Sequence, residues 1–292
     1  SGPESFFFYN LFESERTGAG LSWRNRPAGT IDAYAVSVAR WLVTRDAFDF
    51  FLFYLSDYDY ASHASGPSGS REVLARCDAA IGALLDAAGG TDEFLERYAI
   101  LVLADHGQTD VADVADLGEA LRHVDGTLVA ASNRAGHVYR LRSDAPPARA
   151  LAERFDGVAG VGLAAFVEGS EVVARRAGAE ARIGRVGGRL ETAGDDDVLD
   201  APQAAQRLWA AAHCPNAGEV LVSAEEGWEF ADLAGRHHRG GGSHGSLVRG
   251  DAEVPVVGVG LTGEVTSIVD VAPLVLGHFG VALPPYALER AA

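Results

Sequence analysis

An aspartate and a histidine, Asp105 and His106, follow directly after a run of apolar residues at 98–104. The run predicts a strand buried on both faces, as in a parallel sheet. Open α/β sheets place their chemistry at the carboxyl ends of such strands, and both side chains are good ligands for a metal such as zinc. Adjacent strand residues point to opposite faces, so both reach one ion only if the strand breaks, which Gly107 makes easy. Taken alone, the pair fits a polar turn after a core strand equally well.

A second acid and imidazole lie four residues apart, at Asp59 and His63, just beyond the apolar run of residues 48–55. In a helical turn, residues at this spacing share a face and can bind one ion together. Asp57 is an alternative for the acid, although its six-residue distance from His63 suits a helix less well. A solvated turn is the competing interpretation of this segment.

A third imidazole, His244, lies in the glycine-rich segment 240–246. Glycines allow a backbone to approach a bulky centre closely, but a single loop histidine is more often a surface residue. The segment Arg236-His237-His238-Arg239 comes just before it. Its histidines could line the same site, but its charge favours an exposed basic patch.

Alternating helices and strands would position these residues. Residues 31–42 carry apolar side chains at helical spacing after Thr30, a candidate N-cap. Residues 48–55 predict a buried strand, residues 70–88 a helix with one apolar face, and residues 98–104 the next strand. This alternation predicts an α/β fold, a doubly wound, mostly parallel sheet with helices on both faces.

The pattern changes near residue 126, where short alternating segments predict antiparallel strands around a small helix near 147–155. We interpret this region as a smaller α+β subdomain inserted into the main sheet like a cap. The return to the main sheet would use strands at 219–223 and 254–259, followed by a last helix from Ser267. The predicted domains are residues 1–125, the main metal-binding domain, and residues 126–206, the inserted subdomain. Residues 207–292 are the returning part of the main domain.

The composition of the chain limits the classes of partner that it could bind. The 292 residues are 48% hydrophobic, enough for a large core, and carry a formal net charge of −17. Such a charge repels the phosphates of a nucleic-acid polymer, whereas a bound dication would reverse the local field for a small phosphorylated substrate. No apolar run reaches the roughly 18 residues that a membrane span needs. The two cysteines form no disulfide framework, and with no secretory signal at the start of the chain this favours a cytoplasmic protein.

The three ligand patterns together resemble the metal motifs of the alkaline phosphatase superfamily, and within it the type I phosphodiesterase/nucleotide pyrophosphatase branch. The closing segment, from Thr266-Ser267-Ile268 to Leu283-Pro284, is similar to the last helix of that family. The motifs that carry the resemblance are Asp59-x-x-x-His63-x-x-Gly66-Pro67, Ala104-Asp105-His106-Gly107, and Ser243-His244-Gly245-Ser246 with Asp251 and Val254-Pro255 following.

The resemblance implies two divalent metal ions about 4 Å apart, zinc in the first place, with manganese or magnesium as alternatives. It assigns Asp59, His63 and His244 to one ion, and Asp105 and His106 to the other. It further implies that a metal-activated Thr or Ser attacks phosphorus, that a covalent phospho-enzyme forms, and that water releases it. The expected substrate is a small phosphorylated compound such as a nucleotide.

The nucleophile of the family has no counterpart that we recognise in residues 1–47. Ser5, Thr17, Ser22 and Thr30 are the candidates, and none follows an Asp-bearing strand at the start of a helix. We therefore expect the nucleophile upstream of Ser1.

Three functions remain open from the sequence. The first is hydrolysis of phosphodiester or nucleotide pyrophosphate bonds. The second is the activity of a phosphomonoesterase, phosphonate hydrolase or phosphomutase, because the same metal site serves all of them. The third is a catalytically inactive relative that acts as a binding module, which the missing nucleophile favours and the intact ligand set opposes.

Overall fold

The computed structural model describes residues 30–284, which form a mixed α/β structure, as predicted. Three of the four candidate nucleophiles, Ser5, Thr17 and Ser22, lie outside these residues. The α-helices, α1 to α9 in chain order, are Ile31–Val43, Asp57–Gly69, Arg71–Ala87, Thr91–Arg97, Leu117–Ala120, Ala148–Ala152, Ala204–Ala212, Arg249–Ala252 and Val271–His278. The strands, β1 to β13, are Ile100–Leu103, Thr109–Asp110, Asp113–Ala115, Thr127–Ser132, Ala135–Arg140, Val161–Glu168, Glu171–Arg176, Ala179–Val186, Arg189–Gly194, Val220–Ala224, Trp228–Phe230, Gly242–Ser243 and Val256–Val259.

The described residues divide into two compact units. The first contains residues 30–62, 68–101 and 257–261. The second contains residues 63–67, 102–256 and 262–284.

Helices α1 and α3 organise the first unit. Thr30 is the N-cap of α1, as predicted, because its hydroxyl accepts a hydrogen bond from the Ala33 backbone N–H at 3.1 Å. Ala39 and Val43 on the inner face of α1 pack with Leu84 of α3 and with Phe94. The apolar residues at helical spacing in the two segments therefore pack together in one shared core.

The second unit is dominated by a seven-stranded sheet in the order β4-β5-β10-β6-β7-β8-β9, in which every neighbouring pair is antiparallel. Six of its strands come from the region predicted to be the inserted subdomain, where antiparallel pairing was expected. Apolar clusters cover both faces, one around Phe155 and Phe166 and the other around Ile183 and Leu208.

Two strand predictions need correction. Val220–Ala224 is a strand, but it lies between β5 and β6 of the antiparallel sheet and not in the main sheet. Residues 48–55 form no strand, because within residues 30–284 nothing pairs with them. Their alternate side chains Phe50, Leu52 and Tyr54 are exposed, so the apolar run is covered on one side only.

The strand before Asp105 is formed, but it is less buried than predicted. β1 pairs with β13 in a sheet of two strands, and Val102 is 37% exposed. The division into domains at residues 126 and 206 stays a prediction. Among residues 30–284, no helix combines the length and the apolar composition that crossing a membrane would require.

Candidate metal centre

A short antiparallel ladder joins the two loops that carry His106 and His244. Gly242 and Ser243 of β12 pair with Asp110 and Thr109 of β2. His106 lies just before β2 and His244 just after β12, so the ladder brings their rings together. The rings stack with centroids 3.6 Å apart and planes 14° apart, and a ring nitrogen of each lies within 4.8 Å of the other's.

His63 joins this pair through the glycine-rich loop. Its Nδ1 lies 2.8 Å from the carbonyl oxygen of Gly242, and its ring centroid is 5.1 Å from that of His244. The loop passes so close that a Cβ on Gly241 would lie 1.9 Å from the carbonyl oxygen of His63. Glycine at position 241 is therefore needed for close backbone approach, as the sequence suggested for this loop.

Asp105 lies beside His106 in the bend that follows β1. Its Oδ1 accepts a hydrogen bond from the His106 backbone N–H at 3.1 Å and lies 3.7 Å from His106 Nε2. The strand has ended at Leu103, so the two adjacent side chains are free of the strand's alternation. A carboxylate oxygen and an imidazole nitrogen can thus approach the same ion.

The structure separates the two aspartates that compete for the role of acid in α2. Asp57 belongs to a local arrangement of the first unit, where the buried carboxylate of Asp32 accepts hydrogen bonds from the backbone N–H groups of Ser56 and Asp57 at 2.8 and 3.1 Å. Asp59 is half-buried and lies four residues before His63 in the same helix. Asp59 therefore stays the predicted acid, on its four-residue spacing from His63.

A fully buried ion pair anchors the His244 loop. The guanidinium of Arg134 donates to Asp251 Oδ1 at 2.8 Å, to the carbonyl oxygen of Trp228 at 2.8 Å and to Thr109 Oγ1. The Arg134 backbone N–H donates to the carbonyl oxygen of His244 at 3.0 Å. Burial lowers the pKa of Arg134 and the adjacent Asp251 carboxylate opposes that shift, so the guanidinium stays charged.

Asp251 connects this anchor to both histidine loops. Its Oδ2 accepts from the Ser246 backbone N–H at 2.9 Å and from the Ser246 hydroxyl at 2.7 Å. Its own carbonyl oxygen accepts from the backbone N–H of Gly107, next to His106, at 2.9 Å. A Cβ on Gly107 would lie 2.0 Å from the carbonyl oxygen of Gly250. Glycine is therefore needed at position 107 because the backbone of α8 lies so close to it, and not because the backbone there must break the strand.

Glu229 is a further buried carboxylate, which the sequence did not indicate. Glu229 of β11 is 1% exposed, and its Oε1 lies 2.7 Å from His238 Nδ1 and accepts from the Ser243 hydroxyl at 2.9 Å. The ring of His238 lies 4.1 Å from that of His63. His238 thus faces this cluster, whereas Arg236 and Arg239 beside it are exposed, as the predicted basic patch requires. The one feature of the sequence that could have indicated Glu229 is its position between two aromatic residues of a strand.

Other histidines lie apart from the cluster. His137 of β5 accepts a hydrogen bond from the Gly218 backbone N–H, and burial lowers its pKa. His213 stacks on Trp209. Thr30, the one candidate nucleophile among residues 30–284, uses its hydroxyl to cap α1.

The donor set suits a divalent metal ion. The Nδ1 atoms of His63, His106 and His238 each lie within 3.0 Å of an oxygen acceptor, so Nε2 is the nitrogen with which each would bind a metal. Metal-binding histidines commonly bond a carbonyl or carboxylate oxygen through their other nitrogen. Imidazole nitrogens bind zinc and other transition metals, and carboxylate oxygens also suit manganese and magnesium.

Comparison with known families decides the relationship. The profile of the family described as "Type I phosphodiesterase / nucleotide pyrophosphatase" matches residues 19–247. The chain belongs to this family. The type I phosphodiesterase/nucleotide pyrophosphatase family is part of the alkaline phosphatase superfamily, as the motifs indicated, and its phosphoester hydrolases are generally metal-dependent.

Two solved structures share the fold of this family member. Phosphonoacetate hydrolase from Sinorhizobium meliloti 1021, in complex with phosphonoformate, is 16% identical with a TM-score of 0.55, over 87% of this chain and 56% of that one. Human ectonucleotide pyrophosphatase/phosphodiesterase 5 is 12% identical with a TM-score of 0.55, over 88% and 60%. The chain thus spans somewhat over half the length of these structures. No curated protein sequence matches it.

Proposed function

We propose that this chain carries the metal-binding site of a hydrolase that cleaves phosphodiester or nucleotide pyrophosphate bonds. The observation that carries the proposal is the meeting of His63, His106 and His244, which come from three distant segments of a family member. In the proposal, Asp59, His63 and His244 hold one divalent ion, and Asp105 and His106 hold the other. Zinc is the expected metal, with manganese or magnesium as alternatives.

Electrostatics explains why such a protein would need metal ions. The chain has a formal net charge of −17, which repels a phosphate ester. When bound, the ions would polarise the phosphoryl oxygens and stabilise the charge that develops on the attacking and leaving oxygens. The chain's own contribution is to hold the ligands: Gly242 orients His63, and the Arg134–Asp251 pair fixes the loops of His106 and His244. The proposal assigns no nucleophile.

Metal content tests the site directly. We expect the metal-free protein, produced with any sequence that precedes Ser1 in it and titrated with zinc against a chromogenic chelator, to take up close to two ions. His244→Ala should lose at least one of them and abolish hydrolysis of an activated aryl phosphodiester, because the loop histidine supplies a ligand nitrogen. His213→Ala is the matched control, since His213 also bonds a carbonyl oxygen through Nδ1 but lies on Trp209. Absence of bound transition metal in the unmodified chain would refute the proposal.

A substrate panel separates the related activities. The similarity to a phosphonoacetate hydrolase keeps phosphonate hydrolysis as the second candidate. We expect zinc-loaded protein to hydrolyse the aryl phosphodiester faster than the matching monoester or phosphonoacetate. If phosphonoacetate is hydrolysed fastest, the protein is a phosphonate hydrolase. If the monoester is hydrolysed fastest, it is a phosphomonoesterase. Because we expect the nucleophile upstream of Ser1, the third function is tested with protein that includes any preceding sequence. Binding of metal by that protein with no turnover of any of the three substrates would favour the inactive binding module.

A further inference from the structure

We infer that His238 is an additional metal ligand and that Glu229 is the carboxylate that orients it. The inference rests on the proposed function, since it concerns the same centre. It extends the ligand set by a residue outside the three motifs that carry the family resemblance.

Glu229 fixes both the backbone and the ring of His238. Its Oε2 accepts from the His238 backbone N–H at 2.5 Å, while its Oε1 lies 2.7 Å from His238 Nδ1. Two contacts to one residue leave the imidazole little freedom to rotate. Glu229 is itself held in β11, which pairs in parallel with β3. The ring of His238 is therefore held in one orientation before any metal binds.

This orientation determines which ring nitrogen of His238 could bind a metal. Because Nδ1 bonds the carboxylate, Nε2 is the nitrogen that His238 can offer to a metal. The adjacent ring of His63, 4.1 Å away, has the same arrangement, with Nδ1 on the carbonyl oxygen of Gly242. A carboxylate behind a metal-binding imidazole makes it a stronger ligand and fixes its tautomer.

The burial of Glu229 supports a functional role over a merely structural one. A carboxylate that is 1% exposed carries a large desolvation penalty. Its hydrogen bonds go to a ring that is itself 36% exposed and beside His63, and to Ser243, which precedes His244. A surface histidine with no ligand to bind would gain little from such a partner.

The same carboxylate also links the added ligand to the other histidines. Through Ser243 it contacts the strand that leads to His244, and through His238 it contacts the ring beside His63. Loss of Glu229 should therefore weaken metal binding without removing any ligand atom.

Cobalt titration of the full chain tests the inference, because bound Co²⁺ has visible absorption bands that report its ligands. The decisive variant is His238→Asn, whose amide nitrogen can replace Nδ1 as the donor to Glu229 but offers no Nε2. We expect it to shift the Co²⁺ bands and to weaken zinc binding on the order of 100-fold, and Glu229→Gln to weaken it about 10- to 100-fold. His213→Ala is the control that keeps both residues, since His213 stacks on Trp209.

The outcomes separate this inference from the proposed function. If His238→Asn leaves the Co²⁺ spectrum and zinc affinity as in the unmodified chain, while His244→Ala loses metal, His238 is no ligand and the proposed function stands. If the unmodified chain binds neither metal, both fail. Because a misfolded variant also loses metal, far-UV circular dichroism and the melting temperature of the metal-free proteins must match. If His238→Asn does not fold, the band shift of Glu229→Gln decides, and an unchanged spectrum overturns the inference.

Discussion

The seven-stranded sheet is packed around apolar side chains such as Val138, Phe166 and Ile183, whereas the loops of His106 and His244 are held by buried charges. In the sheet, backbone ladders set the geometry and each apolar side chain contributes a modest part of the stability. In the loops, Glu229 and Asp251 accept hydrogen bonds from the backbone N–H groups of His238 and Ser246. Arg134 in turn donates to Asp251. A buried charge that loses its partner is far more harmful than a lost methyl group. The candidate centre is therefore the more fragile region.

Breaking the buried ion pair should have the largest effect. Arg134→Met leaves the Asp251 carboxylate buried without its guanidinium, so we expect a loss of about 3–5 kcal/mol in the free energy of unfolding. Urea unfolding followed by circular dichroism measures it. Arg122→Met is the matched control, since Arg122 pairs with Glu119 on the surface and should cost less than about 1 kcal/mol.

The same experiment can be sharpened with a double variant. Adding Asp251→Leu to Arg134→Met removes the unpaired charge, so part of the lost stability should return. The recovery is incomplete because the backbone N–H and hydroxyl of Ser246 lose their acceptor. Metal affinity should not return, because Ser246 and the loop of His244 have lost their anchor. Equal losses in the Arg134 and Arg122 variants would show that the ion pair does not hold the loops.

A conservative change in the sheet should have a smaller and separate effect. Ile183→Val removes one methyl group from a fully buried position, and we expect it to cost about 0.5–1.5 kcal/mol. Zinc affinity should equal that of the unmodified chain, because Ile183 packs in an apolar cluster that contains none of the charged groups holding the histidine loops. A marked loss of zinc affinity would contradict the separation of the two regions.

The smallest effect is expected from the surface of the sheet in acid. Hydrogen bonds from Arg149 and then Arg182 lower the pKa of Glu168 from 4.5 to about 2. The ionised carboxylate therefore stabilises the fold above pH 4.5, and this contribution is lost as the pH falls through about 2. Glu168→Gln should be slightly less stable than the unmodified chain at pH 6, with the difference vanishing towards pH 2. The free energies of unfolding of the two proteins, measured at low salt from pH 6 to pH 2, test this prediction. A stability difference that grows on acidification would contradict it.

Local patterns predicted much of the fold. The spacing of apolar residues placed the helices Ile31–Val43 and Arg71–Ala87 nearly to the residue, because an apolar face that repeats every 3.6 residues is typical of an amphipathic helix and does not fit a strand. Non-local pairing was harder to predict. Val220–Ala224 has the pattern of a strand in either sheet, and residues 48–55 have the pattern of a strand although none of the described chain pairs with them.

The candidate site shows the same limit. Residue types and spacing indicated His63, His106 and His244, since the loops around them repeat known ligand patterns. They did not indicate Arg134 or Glu229, whose roles depend on burial that only the folded chain creates. His238, between arginines and histidines, has the neighbours of a surface residue, and the contact with Glu229 turns it inward.

The Arg134–Asp251 pair also has a consequence for the order of folding. Its two residues are 117 positions apart, and most of the seven-stranded sheet lies between them in the chain. Closing so long a stretch is entropically costly unless the intervening chain has already folded. The hairpins of the sheet, whose strands are neighbours in sequence, form without it. We therefore expect the histidine loops to close after the sheet has formed and, during synthesis, only after Asp251 has left the ribosome.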